Sequence, residues 1–380
     1  MQPIIYADNA ATTKLRAEAI EAMKPYLIEE YGNPSQPYSF SRSAKRALKW
    51  ARDIIANCIN ALPEEIYFTS GGTESDNWAI KGVAFALNDR REIITSAIEH
   101  HAILRSCEFI EKLGYSVAYL PVSKEGGILP LVLSDAITNR TGLVSIMFAN
   151  NEIGTIQPII ELAAIAHKNG AVFHTDAVQA VGHVGMDVKK LGVDMLSASA
   201  HKFGGPKGIG FLYVKKGTNL ASYMSGGSQE FSKRAGTQNV SAVVGMAVAL
   251  QSSMNDIIAL RRLYEEESFF ISKLQDAGLV IDNDFTWNGN HEIGKHLPGI
   301  INLSFKGKDG ESIMHRLDLK GIMISTGAAC DSVNTQVSHV IKAINVPNDF
   351  AKGTVRISFN QETCHADVET IVNALLSILK

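Results

Sequence analysis

Three apolar runs, each stopped by polar residues and separated by helical spacing, constrain the fold of this chain more than any other feature. Leu143–Ala149 is apolar along nearly its whole length and ends in Asn150-Asn151. Ile159–Lys168 carries apolar residues at helical spacing and stops at Gly170. Ala171–Phe173 runs into His174-Thr175-Asp176, and Val193–Ala200 runs into His201-Lys202. Strands without polar alternation belong inside a parallel sheet covered on both faces. The strand–helix–strand repetition predicts an α/β fold with an open, doubly wound sheet and ligands beyond the carboxyl ends of its strands. Beyond a long helical pattern from Val240 to Ala277 the alternation changes. Short strands at Ile300–Phe305 and Gly353–Phe359 mix with helices near Ser312–Leu319, Ser338–Ile344 and Val368–Leu379, which reads as a smaller α+β domain. A length of 380 residues also exceeds one ordinary core.

The residues at the strand ends carry the candidate chemistry. Lys202 follows a stiff strand and precedes Gly204-Gly205-Pro206-Lys207-Gly208. A lysine so held suits Schiff-base chemistry, though alone it also reads as a solvated lysine at a strand end. The glycines lack the G-x-x-x-x-G-K-[ST] order of a P-loop. Asp176 alone reads as a turn or cap residue. Together they are the two types that a pyridoxal phosphate site needs, a lysine for the imine and a carboxylate for the pyridine nitrogen. Gly71-Gly72-Thr73 enters a helix and offers bare N–H groups to an anion, or is a plain capped start. His100 and His101 are adjacent and cannot share a helix face, so a metal pair is not expected. Arg356, on a strand, suits a two-point carboxylate clamp or a structural ion pair. Cys330 follows small residues and reads as a loop nucleophile or a buried thiol.

Bulk properties narrow the function classes. Charges nearly cancel, 36 basic against 39 acidic residues, so a direct nucleic-acid ligand has no electrostatic support. The four cysteines are scattered, with no C-x-x-C, which suggests free thiols in a reducing compartment and no zinc site. No apolar run reaches the roughly 18 residues of a membrane span, and the N-terminus lacks a signal pattern. A cytoplasmic protein is expected.

With His174-Thr175-Asp176-Ala177-Val178-Gln179 and Ser199-Ala200-His201-Lys202 the chain resembles the NifS/IscS-type cysteine desulfurases, class V enzymes of fold-type I, and the likeness runs from Tyr6 to the C-terminus. The resemblance implies a fold-type I pyridoxal phosphate-dependent transferase. Residues 14–256 would form a large domain on a mainly parallel seven-stranded sheet, and residues 1–13 with 257–380 a small domain carrying the cysteine loop. It implies that Lys202 holds pyridoxal phosphate and shuttles the α-proton, that His100 stacks on the ring, and that Asp176 and Gln179 meet the ring nitrogen and phenolic oxygen. Gly72, Thr73, Ser199 and His201 then bind the phosphate, joined by Thr237 from a second subunit of a homodimer. Arg356 and Asn151 orient L-cysteine, and Cys330 keeps the sulfur as a persulfide for an acceptor protein, such as an iron–sulfur scaffold or thiolation enzyme. The chain departs from the family pattern at Gln36, Tyr38, Ser41, Ala328, Asp331, Val337 and Asn360. The alternatives are a selenocysteine or cysteine lyase, an aminotransferase-like enzyme, or a scaffold of the same fold without turnover.

Overall fold

The structure, a computed structural model, describes residues 4–87, 89–326 and 337–379. Its strands in chain order are β1 (Ile5–Tyr6), β2 (Ile66–Thr69), β3 (Glu92–Ser96), β4 (Ser116–Leu120), β5 (Thr141–Ser145) and β6 (Val172–Asp176). They continue with β7 (Met195–Ser199), β8 (Gly210–Val214), β9 (Phe285–Trp287), β10 (Ile300–Phe305), β11 (Ile322–Met323) and β12 (Thr354–Ser358). Seven form one sheet in the order β2-β8-β7-β6-β5-β3-β4. Only β8 runs antiparallel to its neighbours; the other pairings are parallel. This is the mainly parallel α/β sheet of the fold-type I class. A second, antiparallel sheet, β12-β10-β9, lies near the C-terminus, and β1 pairs with β11 in parallel.

Burial explains why the interior strands lack polar alternation. Every residue of β5, β7 and β8 is buried, whereas edge strand β4 exposes Ser116, Ala118 and Tyr119. The helix Arg42–Cys58 buries Ala44, Ala47, Leu48, Ala51 and Ile55, at the spacing that puts them on one face. One large core spans the sheet and includes Ile55, Val144, Phe173, Leu196 and Phe211. A second gathers Ala7, Leu263, Phe270, Leu303, Val355 and Ile371, so residues near both ends of the chain share it.

Several elements differ from expectation. The pattern from Val240 to Ala277 is two helices, Val240–Leu260 and Leu263–Asp276. At the join the hydrogen bonds tighten to three residues back, and Arg262 donates to the carbonyls of Gln361 at 2.9 Å and Thr363 at 2.6 Å. Val240–Leu260 is long and apolar enough on average to cross a bilayer, although Gln251, Ser252, Ser253, Asn255 and Asp256 interrupt its apolar run. Here it packs against the helices Ala17–Ile28 and Arg42–Cys58 and buries Val243, Met246 and Leu250 in the main core. Past β5 the chain keeps bonding to β6: the Ile146 N–H donates to the His174 carbonyl at 3.1 Å and the Phe148 N–H to the Asp176 carbonyl at 2.7 Å.

Candidate active site

The ends of β6 and β7, the turn after β2, β12 and an N-terminal segment enclose a cavity of about 560 Å³. It is lined by ten of the predicted residues: Lys202, Asp176, His100, Gly72, Thr73, Asn151, Gln179, Ser199, His201 and Arg356. Thr237 lies apart, on a cavity of about 230 Å³ shared with Tyr31, Gly32 and Asn33. Cys330 lies outside the described residues.

Lys202 sits just past the end of β7, in a single tight turn, Ala200–Lys202. Its Nζ donates to the carbonyls of Ala10 at 2.6 Å and Ala11 at 2.9 Å. The same N-terminal segment is stapled to the lysine turn. Thr13 donates through both its N–H and Oγ1 to the His201 carbonyl, and Thr12 Oγ1 meets His201 Nδ1 at 3.1 Å. Gln179 Nε2 also donates to the Ala10 carbonyl, at 2.9 Å.

Three acidic residues line the cavity, Glu74, Asp76 and Asp176, and two of them, Asp76 and Asp176, are deeply buried. Asp176 Oδ1 accepts from the Val178 N–H at 2.9 Å. Burial lifts its pKa to about 6, against the pull of that N–H and of the Lys202 charge. Asp76, on the buried face of the helix Gly72–Ala86, has an Oδ1 with no hydrogen-bond partner. Burial, and then the negative charge of Asp176, hold its pKa well above the usual range. Asp76 is thereby biased towards its protonated form beside Asp176. Between the strands below, His174 links Ser145 at 2.8 Å to Ser197 at 2.9 Å, and burial pushes its pKa down to about 3.

His100 caps the helix His101–Glu111: its Nδ1 accepts from the Ala102 N–H at 3.1 Å. Burial, with the charge of Lys202 and then His101, lowers its pKa to about 4. The ring is therefore neutral, with its proton on Nε2. Beneath it the buried Glu99 accepts from Ser96 Oγ at 2.6 Å and from the Met147 N–H at 3.0 Å, and burial raises its pKa to about 8.

The turn after β2 fits an anion. Gly71 has φ +149°, open to glycine, and a Cβ on Gly72 would lie 2.5 Å from Val178 Cγ2. The helix's own ladder starts with the Ser75 N–H donating to the Gly71 carbonyl, so the N–H groups of Gly72 and Thr73 have no partner within the helix. Glu74, at the rim of this turn, accepts from Arg234 at 2.8 and 3.1 Å and from the Ser70 N–H at 2.8 Å, so its charge is already matched by a cation. An amine, a carboxyl group, a neutral imidazole and a helix N-terminus on one cavity fit the donor set that a phosphorylated pyridine aldehyde requires.

Arg356 enters from β12. Its Nη1 donates to the Asn151 carbonyl at 2.9 Å, and its Nη2 to Asp8 Oδ1 at 2.7 Å. Of the two readings weighed from sequence, the structure contains the ion pair, made with Asp8.

The family model for class-V aminotransferases matches residues 5–371. This chain belongs to the class-V aminotransferase family. Within that family it is 48% identical over 382 aligned residues to "Cysteine desulfurase IscS" of Dictyoglomus turgidum, covering 100% of this chain and 95% of that protein. It is 46% identical to the protein of the same name from Methanosarcina thermophila, over 99% of this chain and 92% of the relative. Among solved structures, one described as "NIFS-LIKE PROTEIN" superposes with a TM-score of 0.92 at 34% identity, covering 99% of each chain. "SspA in complex with cysteine" superposes with a TM-score of 0.81 at 34% identity, over 93% of this chain and 98% of that one.

In this class-V chain the sequence reading missed Asp8, Ala10, Ala11, Asp76 and Glu99. Asp76 had a legible signal, an acid on the apolar stripe formed with Ala79, Ile80 and Val83. Ala10 and Ala11 had none, because they act through carbonyls that every residue carries.

Proposed function

We infer that this chain is a cysteine desulfurase, converting L-cysteine to L-alanine with pyridoxal phosphate as its cofactor. The observation that carries the reading is the meeting of Lys202, Asp176, the Gly72 helix end and Arg356 on one cavity. It is joined by full-length identity of 48% to a cysteine desulfurase.

Pyridoxal phosphate, when bound, draws off the electron pair left at the substrate's α-carbon. Asp176, ionised above about pH 6, would keep the ring nitrogen protonated. Gly72, Thr73, Ser199 and His201 would hold the phosphate, Gln179 the phenolic oxygen, and neutral His100 one ring face. Lys202 Nζ would anchor the cofactor, and the same amine would hold and return the substrate's α-proton. Arg356 and Asn151 orient the amino acid. The Cys330 thiolate bonds to the substrate sulfur as the Cβ–S bond breaks; Cβ is protonated to the methyl of alanine, and the sulfur stays on Cys330 as a persulfide for an acceptor protein, such as an iron–sulfur scaffold or thiolation enzyme. Thr237 serves the phosphate of a second subunit. A homodimer is supported by the distance of Thr237 from its own chain's main cavity and by exposed Leu27, Ile28, Tyr31, Tyr38 and Phe40 around the N-terminal helix. The second core, which joins Ala7 to residues between Leu260 and Ile378, supports a small unit of 1–13 with 257–380 beside a large one of 14–256, although Ala10, Leu297 and Ile300 pack into the main core. The three described cysteines, all free, suit a reducing cytoplasm.

The test measures alanine and protein persulfide from cysteine for wild type, Lys202→Ala and Cys330→Ala. Lys202→Ala is expected to lose at least ~10²–10⁴ of the rate. Cys330→Ala is expected to lose persulfide and turnover. Normal turnover in Lys202→Ala would remove the lysine from the chemistry. Full activity without persulfide in Cys330→Ala would make the enzyme a lyase.

A further inference from the structure

We propose that Asp8 is a built-in competitor for the substrate's carboxylate, occupying Arg356 and setting how tightly the cavity holds a carboxylate ligand. The proposal rests on the reading of Arg356 as the substrate's carboxylate clamp.

Arg356 lines the cavity, yet its side chain is only 3% exposed, so its charge is poorly screened by water. A guanidinium has five N–H donors in a planar fork. Asp8 Oδ1 takes one at 2.7 Å and the Asn151 carbonyl another at 2.9 Å, while Nε has no acceptor. The fork thus keeps donors for a ligand, but its charge is already matched by a carboxylate.

Asp8 is delivered there by its backbone. Ala7 donates to the Met323 carbonyl at 2.9 Å, Ser358 donates to the Ala7 carbonyl at 2.8 Å, and Asp8 itself bridges Ser358. The segment is thereby laced between β11 and β12. On the neighbouring backbone, Ser325 and Arg356 exchange N–H donations at 3.0 and 2.6 Å, which fixes the root of the arginine. The acid can leave the arginine only by side-chain rotation.

A ligand carboxylate reaching Arg356 must either break the 2.7 Å bond to Asp8 or share the cation with a like charge. Both weaken binding. A merely positioning role has the opposite sign, because a loosened arginine binds a carboxylate less well. Substrate and product bear the same carboxylate, so a resident counter-charge favours release of alanine as much as it tempers capture of cysteine.

The test titrates the holoenzyme with L-alanine, and separately with acetate, following heat or the cofactor's absorbance. Asp8→Asn keeps the shape and an acceptor oxygen but removes the charge; Asp8→Ser removes both, and Asp8→Glu retains the charge. Asp8→Asn and Asp8→Ser are expected to bind both ligands roughly tenfold tighter, the equivalent of one charge-assisted hydrogen bond. Asp8→Glu should stay near wild type, and Arg356→Gln should lose the affinity. If both neutral Asp8 variants bind alanine equally or more weakly while Arg356→Gln still loses it, Asp8 is not a competitor and the clamp stands. If Arg356→Gln binds alanine as wild type does, clamp and competitor fall together.

Discussion

Glu230 holds a segment of backbone that no ordinary sequence would hold alone, and its removal has a calculable effect. Glu230, Phe231 and Ser232 all have positive φ, at 43°, 55° and 63°. Each such residue costs roughly 1–2 kcal/mol, so the run stores about 3–6 kcal/mol. The opposing term is a buried ion pair. Glu230 takes two bonds from Arg52, both at 2.9 Å, and one from the Phe68 N–H at 3.0 Å; the side chains are 2% and 13% exposed. Arg52 also lies over the Phe68 ring, 4.1 Å from its centroid. Breaking such a pair from one side costs about 3–5 kcal/mol, which matches the stored strain. Glu230→Gln should therefore free residues 225–239, which carry Arg234 and Thr237. Amide hydrogen exchange in that segment should speed by roughly 100-fold or more, while amides of β5–β7 stay protected. The double variant Arg52→Met/Glu230→Gln should recover part of the loss. Unchanged exchange at residues 225–239 in Glu230→Gln would refute the clamp.

Two further outcomes are expected. Glu99 has a folded pKa of about 8, above its ordinary value of 4.5, so the folded state binds the extra proton and stability falls as pH rises from 4.5 to 8. The slope from this group is at most ~1.4 kcal/mol per pH unit, and Glu99→Gln should flatten the curve measured by urea unfolding across that window; an unchanged slope would show that Glu99 ionises freely. In Gly72→Ala the new Cβ meets Val178 Cγ2 at 2.5 Å, an overpacking of about 1–3 kcal/mol at the helix end, and cofactor affinity should fall. Val178→Ala in the same chain should restore it, and failure of that rescue would place the defect elsewhere.

How much of this was legible depended on whether a residue's type or its neighbours do the work. The interior strands announced themselves because full burial removes polar alternation, and the strand ends then pointed to Lys202 and Asp176 without any fold in hand. Arg356 was legible as a carboxylate binder, but the acid that it grips is 348 positions away. Strands β1 and β11, two residues each, are too short to leave a periodic trace. The tightening at Arg261-Arg262 was hidden because both residues favour a helix, and the break is imposed by carbonyls of Gln361 and Thr363.

The stapling of residues 5–13 has a consequence for biosynthesis. Those residues leave the ribosome hundreds of positions ahead of the partners that seat them: His201 and Lys202 for Thr13 and Ala10, Ile322 for Ile5, Arg356 for Asp8. Closing such wide loops is slow, and the reward comes only when the distant strands exist. The cleft around Lys202 is thus among the last things a growing chain completes, and a nascent polypeptide halted before β12 carries the lysine without all of its walls.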